Sequence, residues 1–224
     1  MVKKGSTKVT TVRQHPRRVP VSEKNPVGIT IVDRHPRHLE GTSLDVAEIK
    51  KIFATYDRKG LVFPKSKKLP GYKNADSFDD AIAVWVDYFN KKFSASPKLD
   101  PDVVKALIAS ESGFDPDPKE NRKIAIGLTQ ITKSTLRILL DPDGEAKAFL
   151  FTKIRQKDLK DPVVSIALAT RWLFRKRETA MNRLRRAPDH EELILEYKGL
   201  LRSYSEYKKA ALKKYIEAYA KLKK

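Results

Sequence analysis

The chain has 224 residues, no cysteine and a formal net charge of +19 at pH 7. That length holds one well-cored domain plus an appendage, and the missing thiols exclude a disulfide framework and a thiolate metal site. Hydrophobic residues make up 40% of the chain, and no apolar run approaches the roughly 20 residues of a membrane-spanning helix. The charge sits mostly at the ends: residues 1–41 carry +6 and residues 200–224 another +6. Over about a Debye length, roughly 8 Å at physiological salt, such a field draws in polyanions. Wall polymers, lipid headgroups and nucleic acid all qualify, so charge alone does not choose among them. The chain begins Met-Val-Lys-Lys and shows no apolar h-region of a secretory signal.

Residues 1–41 contain an internal repeat. Val12-Arg13-Gln14-His15-Pro16-Arg17-Arg18 returns twenty residues later as Val32-Asp33-Arg34-His35-Pro36-Arg37-His38. Each copy follows alternating β-branched residues, Val9 to Val12 and Ile29 to Val32, which predicts two short strands or extended arms ended by the His-Pro dipeptides. His35-x-x-His38 invites a metal reading, but without cysteine or nearby carboxylates a basic recognition arm is the better account. No metal and no cofactor is expected.

A helix is predicted from a cap at Thr42 or Ser43 to about Tyr56, with Leu44, Ile49, Ile52, Phe53 and Tyr56 inward. Arg58 to Asn74 reads as a loop with a short extended piece at Leu61-Val62-Phe63. A second helix, about Ser77 to Phe93, carries Phe78, Ile82, Trp85, Phe89 and Phe93 on one stripe. Such spacing marks core rather than a sugar-stacking platform. Residues 42–95 thus form an N-terminal helical layer.

The stretch Leu99 to Ile131 organises the rest. Asp100 caps a helix, Pro101 suits its first turn, and Val103, Val104, Leu107 and Ile108 give it one buried face. Gly113 is a left-handed stop and Pro116 prevents continuation. Glu111 therefore falls in the last turn, beside apolar Ile108 and Phe114. A carboxyl placed among apolar side chains at the negative end of a helix is the kind of group that serves as a general acid. After a loop, Gly127-Leu128-Thr129-Gln130 reads as the opening of a second helix that runs to about Leu140. Asp141-Pro142-Asp143-Gly144 is then a turn.

Glu111-Ser112-Gly113-Phe114-Asp115-Pro116, followed by Ala125-Ile126-Gly127-Leu128-Thr129-Gln130-Ile131, resembles the catalytic segment of soluble-lytic-transglycosylase domains. The resemblance covers about residues 96–200. It implies a mostly α, goose-lysozyme-like helical domain that cleaves peptidoglycan, here with a basic N-terminal extended or β arm. Asp161-Pro162 opens a further helix to about Glu178, matching the family's helix that begins with Asp-Pro. Ala187-Pro188 breaks the chain, Glu191 to Glu196 leads into Tyr197-Lys198-Gly199, and residues 201–224 read as a basic helix packed on the domain. Its expected inner positions are Leu201, Tyr204, Leu212, Tyr215, Ile216, Tyr219 and Leu222.

Glycoside cleavage needs a proton on the leaving oxygen and stabilisation of an oxocarbenium-like centre. The resembled family manages with one carboxyl, because the substrate's N-acetyl group and C6 hydroxyl take the remaining roles. The resemblance implies that Glu111 acts as acid and then base, giving a 1,6-anhydro product. It also implies that Ser112 and Gln130 bond the glycan, that Gly127 admits it closely, and that Thr129, where the family often has Met, walls the groove. Asp115 and Asp117 sit beside prolines and read as turn formers rather than second carboxylates. Ile124 stands where the family usually has Gly, narrowing the entrance. Tyr197 matches the Tyr of the family's Tyr-Asn-Ala-Gly, and the resemblance implies that its hydroxyl orients the Glu111 carboxyl. Lys198 stands where the family reads Asn, and it could either meet a carboxylate of the muramyl peptide or weaken Glu111 as an acid.

The function expected is a peptidoglycan lytic transglycosylase, made in the cytoplasm and reaching the wall by phage lysis, a virion or a secretion machine. Its partners are glycan strands and, through the basic ends, anionic wall polymers. The alternatives are a goose-type lysozyme that uses water and a non-catalytic wall-binding module. A nucleic-acid-binding protein accounts for the charge but not for the Glu111 to Gln130 constellation.

Overall fold

The N-terminal repeat folds as two antiparallel strand pairs. In the computed structural model, which describes residues 9–12, 15–18, 27, 29–32, 35–38, 43–65, 69–118 and 124–223, β1 (Val9–Val12) pairs with β4 (His35–His38), and β2 (His15–Arg18) with β3 (Ile29–Val32). Each copy of the repeat supplies one strand to each pair. The His-Pro dipeptides, expected to end strands, instead lie inside β2 and β4. Proline is tolerated there because every strand of a two-stranded sheet is an edge strand. The side chains of His35 and His38 lie outside what is described.

Residues 44–224 form a separate unit from residues 1–43. Its first helix, α1 (Val46–Thr55), is capped by Asp45 rather than by Thr42 or Ser43. Asp45 accepts from the Glu48 N–H at 2.9 Å while Glu48 accepts from the Asp45 N–H at 2.9 Å, so two donors at the helix start are satisfied reciprocally. Ser43–Leu44 is a short strand, β5. Leu61-Val62-Phe63 carries no strand, and Val62 and Phe63 are exposed.

Helix α2 (Asp79–Lys92) and helix α3 (Pro101–Glu111) follow. Ile82, Trp85 and Phe89 of α2 are fully buried, as an apolar stripe predicts. Phe89 meets Phe149 edge-on at 5.2 Å and Phe93 meets Phe174 at 5.2 Å, and each such pair adds about 0.5–1.5 kcal/mol beyond its buried area. The α2–α3 contact also buries an ion pair, Lys105 Nζ lying 2.7 Å from Asp79 Oδ1.

The expected opening of the helix that runs to about Leu140 is a hairpin instead. Strands β6 (Ala125–Ile126) and β7 (Ile131–Thr132) pair antiparallel around a turn at 127–130. Gly127 and Gln130 both take the left-handed conformation, at φ 79° and 50°, which a helical start does not permit. Helix α4 (Lys133–Leu140) begins only after Thr132, whose Oγ1 accepts from the Thr135 N–H at 3.1 Å. The turn at Asp141–Gly144 closes with a Gly144 N–H to Asp141 O bond of 3.1 Å.

After the short strand β8 (Leu150–Phe151) and a 3₁₀ turn at Gln156–Lys160, the central helix α5 runs Pro162–Leu184. It outruns the expected end near Glu178 because nothing breaks it before Arg185, a left-handed cap at φ 58°. Helix α5 packs against α1, α2 and α6 (His190–Tyr197). Helix α7 (Ser205–Leu222) lies against α3. Its buried positions are Leu212, Tyr215, Ala218 and Leu222, whereas Tyr204 and Ile216 are exposed, because Tyr204 precedes the helix and Ile216 is one residue off the inner stripe. At the far end Lys223 Nζ bonds Asp100 Oδ2 at 2.7 Å and Asp102 Oδ2 at 2.6 Å, pinning α7 to the start of α3. Burial opposes the Lys223 ammonium, but the two carboxylates hold its pKa above the ordinary value. Helices with a few short strands make up the fold, as the lysozyme-like resemblance implies.

Candidate active site

Glu111 is the last residue of α3. The helix stops because Gly113 and Phe114 both turn left-handed, at φ 61° and 68°. A bulky residue adopts that conformation at a cost, typically about 1–3 kcal/mol. Phe114 is held in it by burial against Tyr72 (5.5 Å, edge-on) and Phe78 (6.2 Å, stacked). The Asp115 N–H closes the turn on Ser112 O at 3.2 Å. A rigid helix and an anchored stop thus fix where the carboxyl emerges.

Two other elements converge on it. The β6–β7 hairpin brings Gln130, whose Nε2 donates to Gly127 O at 2.9 Å. The end of α6 brings Tyr197 and Lys198. Lys198 Nζ donates to Glu111 Oε1, and the two side chains are only 17% and 16% exposed. These four residues, with Thr132, Thr135 and Trp172, line a cleft of about 370 Å³ with Ile124, 65% exposed, at its wall. On the other side of Glu111 and Gln130 lies an open groove of about 650 Å³, bordered by Tyr72, Ser112, Asp115, Asp117 and Lys214. The carboxyl therefore stands between two adjoining depressions, the arrangement needed to reach a bond inside a linear polymer.

Not every expected site residue faces this cleft. Thr129, expected to wall the groove, is fully buried, its Oγ1 2.9 Å from Ser165 Oγ. Its position between β6–β7 and α5 turns it into the core. Gly127, expected to admit the glycan, is buried as well, and a Cβ there would lie 2.1 Å from Leu159 O. Its glycine is required by the 3₁₀ turn behind it. The Tyr197 hydroxyl donates to Thr129 O at 2.8 Å rather than to Glu111, so it pins the hairpin to α6. Burial raises the Tyr197 pKa well above its ordinary value, with the nearby Glu111 carboxyl adding to the effect. Ser112 borders the groove, while its hydroxyl reaches back to Ile108 O at 3.4 Å.

Asp115 and Asp117 serve the turn. Asp115 Oδ1 accepts from the Asp117 N–H at 2.9 Å, and Asp117 pairs with Lys160 at 3.1 Å. Within the 370 Å³ cleft, Glu111 is the one carboxyl among the described residues. No group of three or more His, Asp or Glu among the described residues is placed to hold a metal ion. Sequence reasoning did not single out Tyr72, Thr132, Thr135, Trp172 or Lys214. Trp172 had a signal, as a large aromatic on the inward face of α5, but that pattern reads as core, and the side chain is indeed 3% exposed while lining the cleft.

The profile of the family described as Transglycosylase SLT domain matches residues 87–219. Comparison with curated proteins and with solved structures gives no match.

Proposed function

The chain belongs to the transglycosylase SLT family, and from that premise we propose that it cleaves peptidoglycan between N-acetylmuramic acid and N-acetylglucosamine with Glu111 as acid and base. Membership supports a lytic-transglycosylase-type action on peptidoglycan in general. The observation that carries the finer reading is the position of Glu111: one carboxyl, fixed at a helix end, between two adjoining depressions. Glu111 gives its proton to the glycosidic oxygen as the bond to muramyl C1 breaks. The C6 hydroxyl oxygen of the same sugar then bonds C1, and its proton returns to Glu111. The product is a 1,6-anhydro end, and no water is consumed. A hydrolytic route by the usual pair of carboxylates finds no free partner in Asp115 or Asp117, which are engaged in their own turn and with Lys160.

One observation favours a second reading. The Lys198 ammonium lies directly against the Glu111 carboxyl, and an acid occupied by a neighbouring cation suits a non-catalytic wall-binding module on the same fold. Zymography on purified sacculi separates the two. The enzyme reading expects a cleared zone that disappears in Glu111→Gln; no clearing by the unaltered protein supports the binding module.

A further inference from the structure

Lys198 is the feature of the cleft that the proposed reaction leaves without a task. Among the described residues, it and Glu111 are the only charged ones that line the 370 Å³ cleft, both mostly shielded from water. The backbone beneath Lys198 is fixed: its N–H donates to Ile194 O at 3.0 Å, and the preceding Tyr197 is pinned to Thr129. Its four-carbon side chain is long and rotatable, so the ammonium can swing while its base stays still. The α6 carboxy-terminal end also favours a cation at this place.

Charge balance poses a problem that a neutral substrate does not solve. As the carboxylate, Glu111 neutralises Lys198 but has no proton to donate. As the acid, it leaves an uncompensated ammonium in a shielded cleft, which is unfavourable. A substrate carboxylate resolves both demands. Lys198 passes to that carboxylate, Glu111 takes a proton from solvent, and the described lining residues together with the substituent carry one positive and one negative charge before and after. The groove on the far side of Glu111 carries Asp115, Asp117 and Glu217 against Lys214, so an anionic substituent is favoured on the Lys198 side.

We propose that Lys198 is the specificity residue of the cleft, a receptor for a carboxylate carried on the 3-O-lactyl substituent of the muramyl sugar, and that binding this carboxylate releases Glu111 to act as the acid. The inference rests on the catalytic reading of Glu111. The carboxylate has two sources: the lactyl group itself in glycan strands stripped of their peptides, or the stem peptide in intact strands.

The test uses stripped and peptide-bearing strands, each before and after conversion of the carboxyls to amides with carbodiimide and ammonium. The full-length protein should cleave the carboxylate form about tenfold faster than the amide form, the size expected of one charged hydrogen bond. A preference on stripped strands identifies the lactyl carboxylate, and one confined to peptide-bearing strands identifies the stem. Lys198→Arg should keep the preference and Lys198→Asn should lose it. Because the readout is a ratio, a general loss of activity or stability cancels. Equal rates on both forms of both strands, or a preference that survives in Lys198→Asn, overturns the proposal. A binding arm separates this failure from that of the catalytic reading. Calorimetry of Glu111→Gln takes N-acetylmuramic acid for the lactyl carboxylate and muramyl dipeptide for the stem carboxylate, each against its amide. It should show the same carboxylate preference, for the source that any cleavage rates identify, and adding Lys198→Asn should remove it. Absent turnover with that preference intact supports the receptor and counts against Glu111 catalysis, whereas turnover without preference does the reverse.

Discussion

Replacing Glu111 by Gln keeps the shape of the side chain and removes its transferable proton, so turnover of glycan strands should fall at least about 10²-fold. Steady-state rates on soluble strands check this, and full activity in the variant would remove Glu111 from the chemistry. Gly127 makes a different prediction. An added Cβ would meet Leu159 O at 2.1 Å from a backbone at φ 79°, so Gly127→Ala must displace the turn and should cost more than about 1 kcal/mol in urea unfolding. Activity should fall with it, because Gln130 is bonded to Gly127 O. The place of Glu111 was legible in its helix-stop signals, whereas Gln130, Tyr197 and Lys198 were picked out by the family resemblance; the four line one cleft. The burial of Gly127 and Thr129 was not, because their partners Leu159 and Ser165 lie more than thirty residues away along the chain.

Helix α6 carries Tyr197 and Lys198 to the cleft, and its start is set by local chemistry. Asp189 accepts from the Glu192 N–H at 2.8 Å, Glu192 accepts from the Asp189 N–H at 3.0 Å, and Arg186 grips the Glu192 carboxylate at 2.6 and 2.5 Å. The Arg186 bond above all holds the Glu192 pKa below its usual 4.5. A depressed carboxylate stabilises the fold above its unfolded value, and that contribution is lost as pH falls through the native value. Stability should therefore drop on acidification below about 4.5, and less so in Glu192→Gln, as followed by thermal melting across that range. Asp189→Ala should cost about 1 kcal/mol. At this scale local caps and breakers were readable at Asp100, Gly113 and Asp161, whereas the equally local cap at Asp45 was read two or three residues early. The β6–β7 hairpin was missed because Gly-Leu-Thr-Gln carries no strand signal of its own and is shaped by contact with the 3₁₀ turn and α5.

Across the whole molecule, the +6 on residues 1–41 and the +6 on residues 200–224 are placed apart from the Glu111 chemistry in sequence. If the ends hold anionic wall polymers, deleting residues 1–41 should weaken binding to whole sacculi at low salt and flatten its salt dependence, while turnover of short fragments stays nearly intact. Sedimentation binding at several salt concentrations checks this, and unchanged binding with an unchanged salt profile contradicts it. The charge was plain in the sequence, but composition does not distinguish a wall polymer from any other polyanion; only the family resemblance carried by the Glu111 to Gln130 segment pointed to a glycan. The central claim, that one carboxyl cleaves the glycan without water, is tested most directly by mass spectrometry of the muropeptides released from purified sacculi. The account predicts 1,6-anhydro-muramyl ends that vanish with Glu111→Gln, and reducing-end muramic acid as the main product would contradict it.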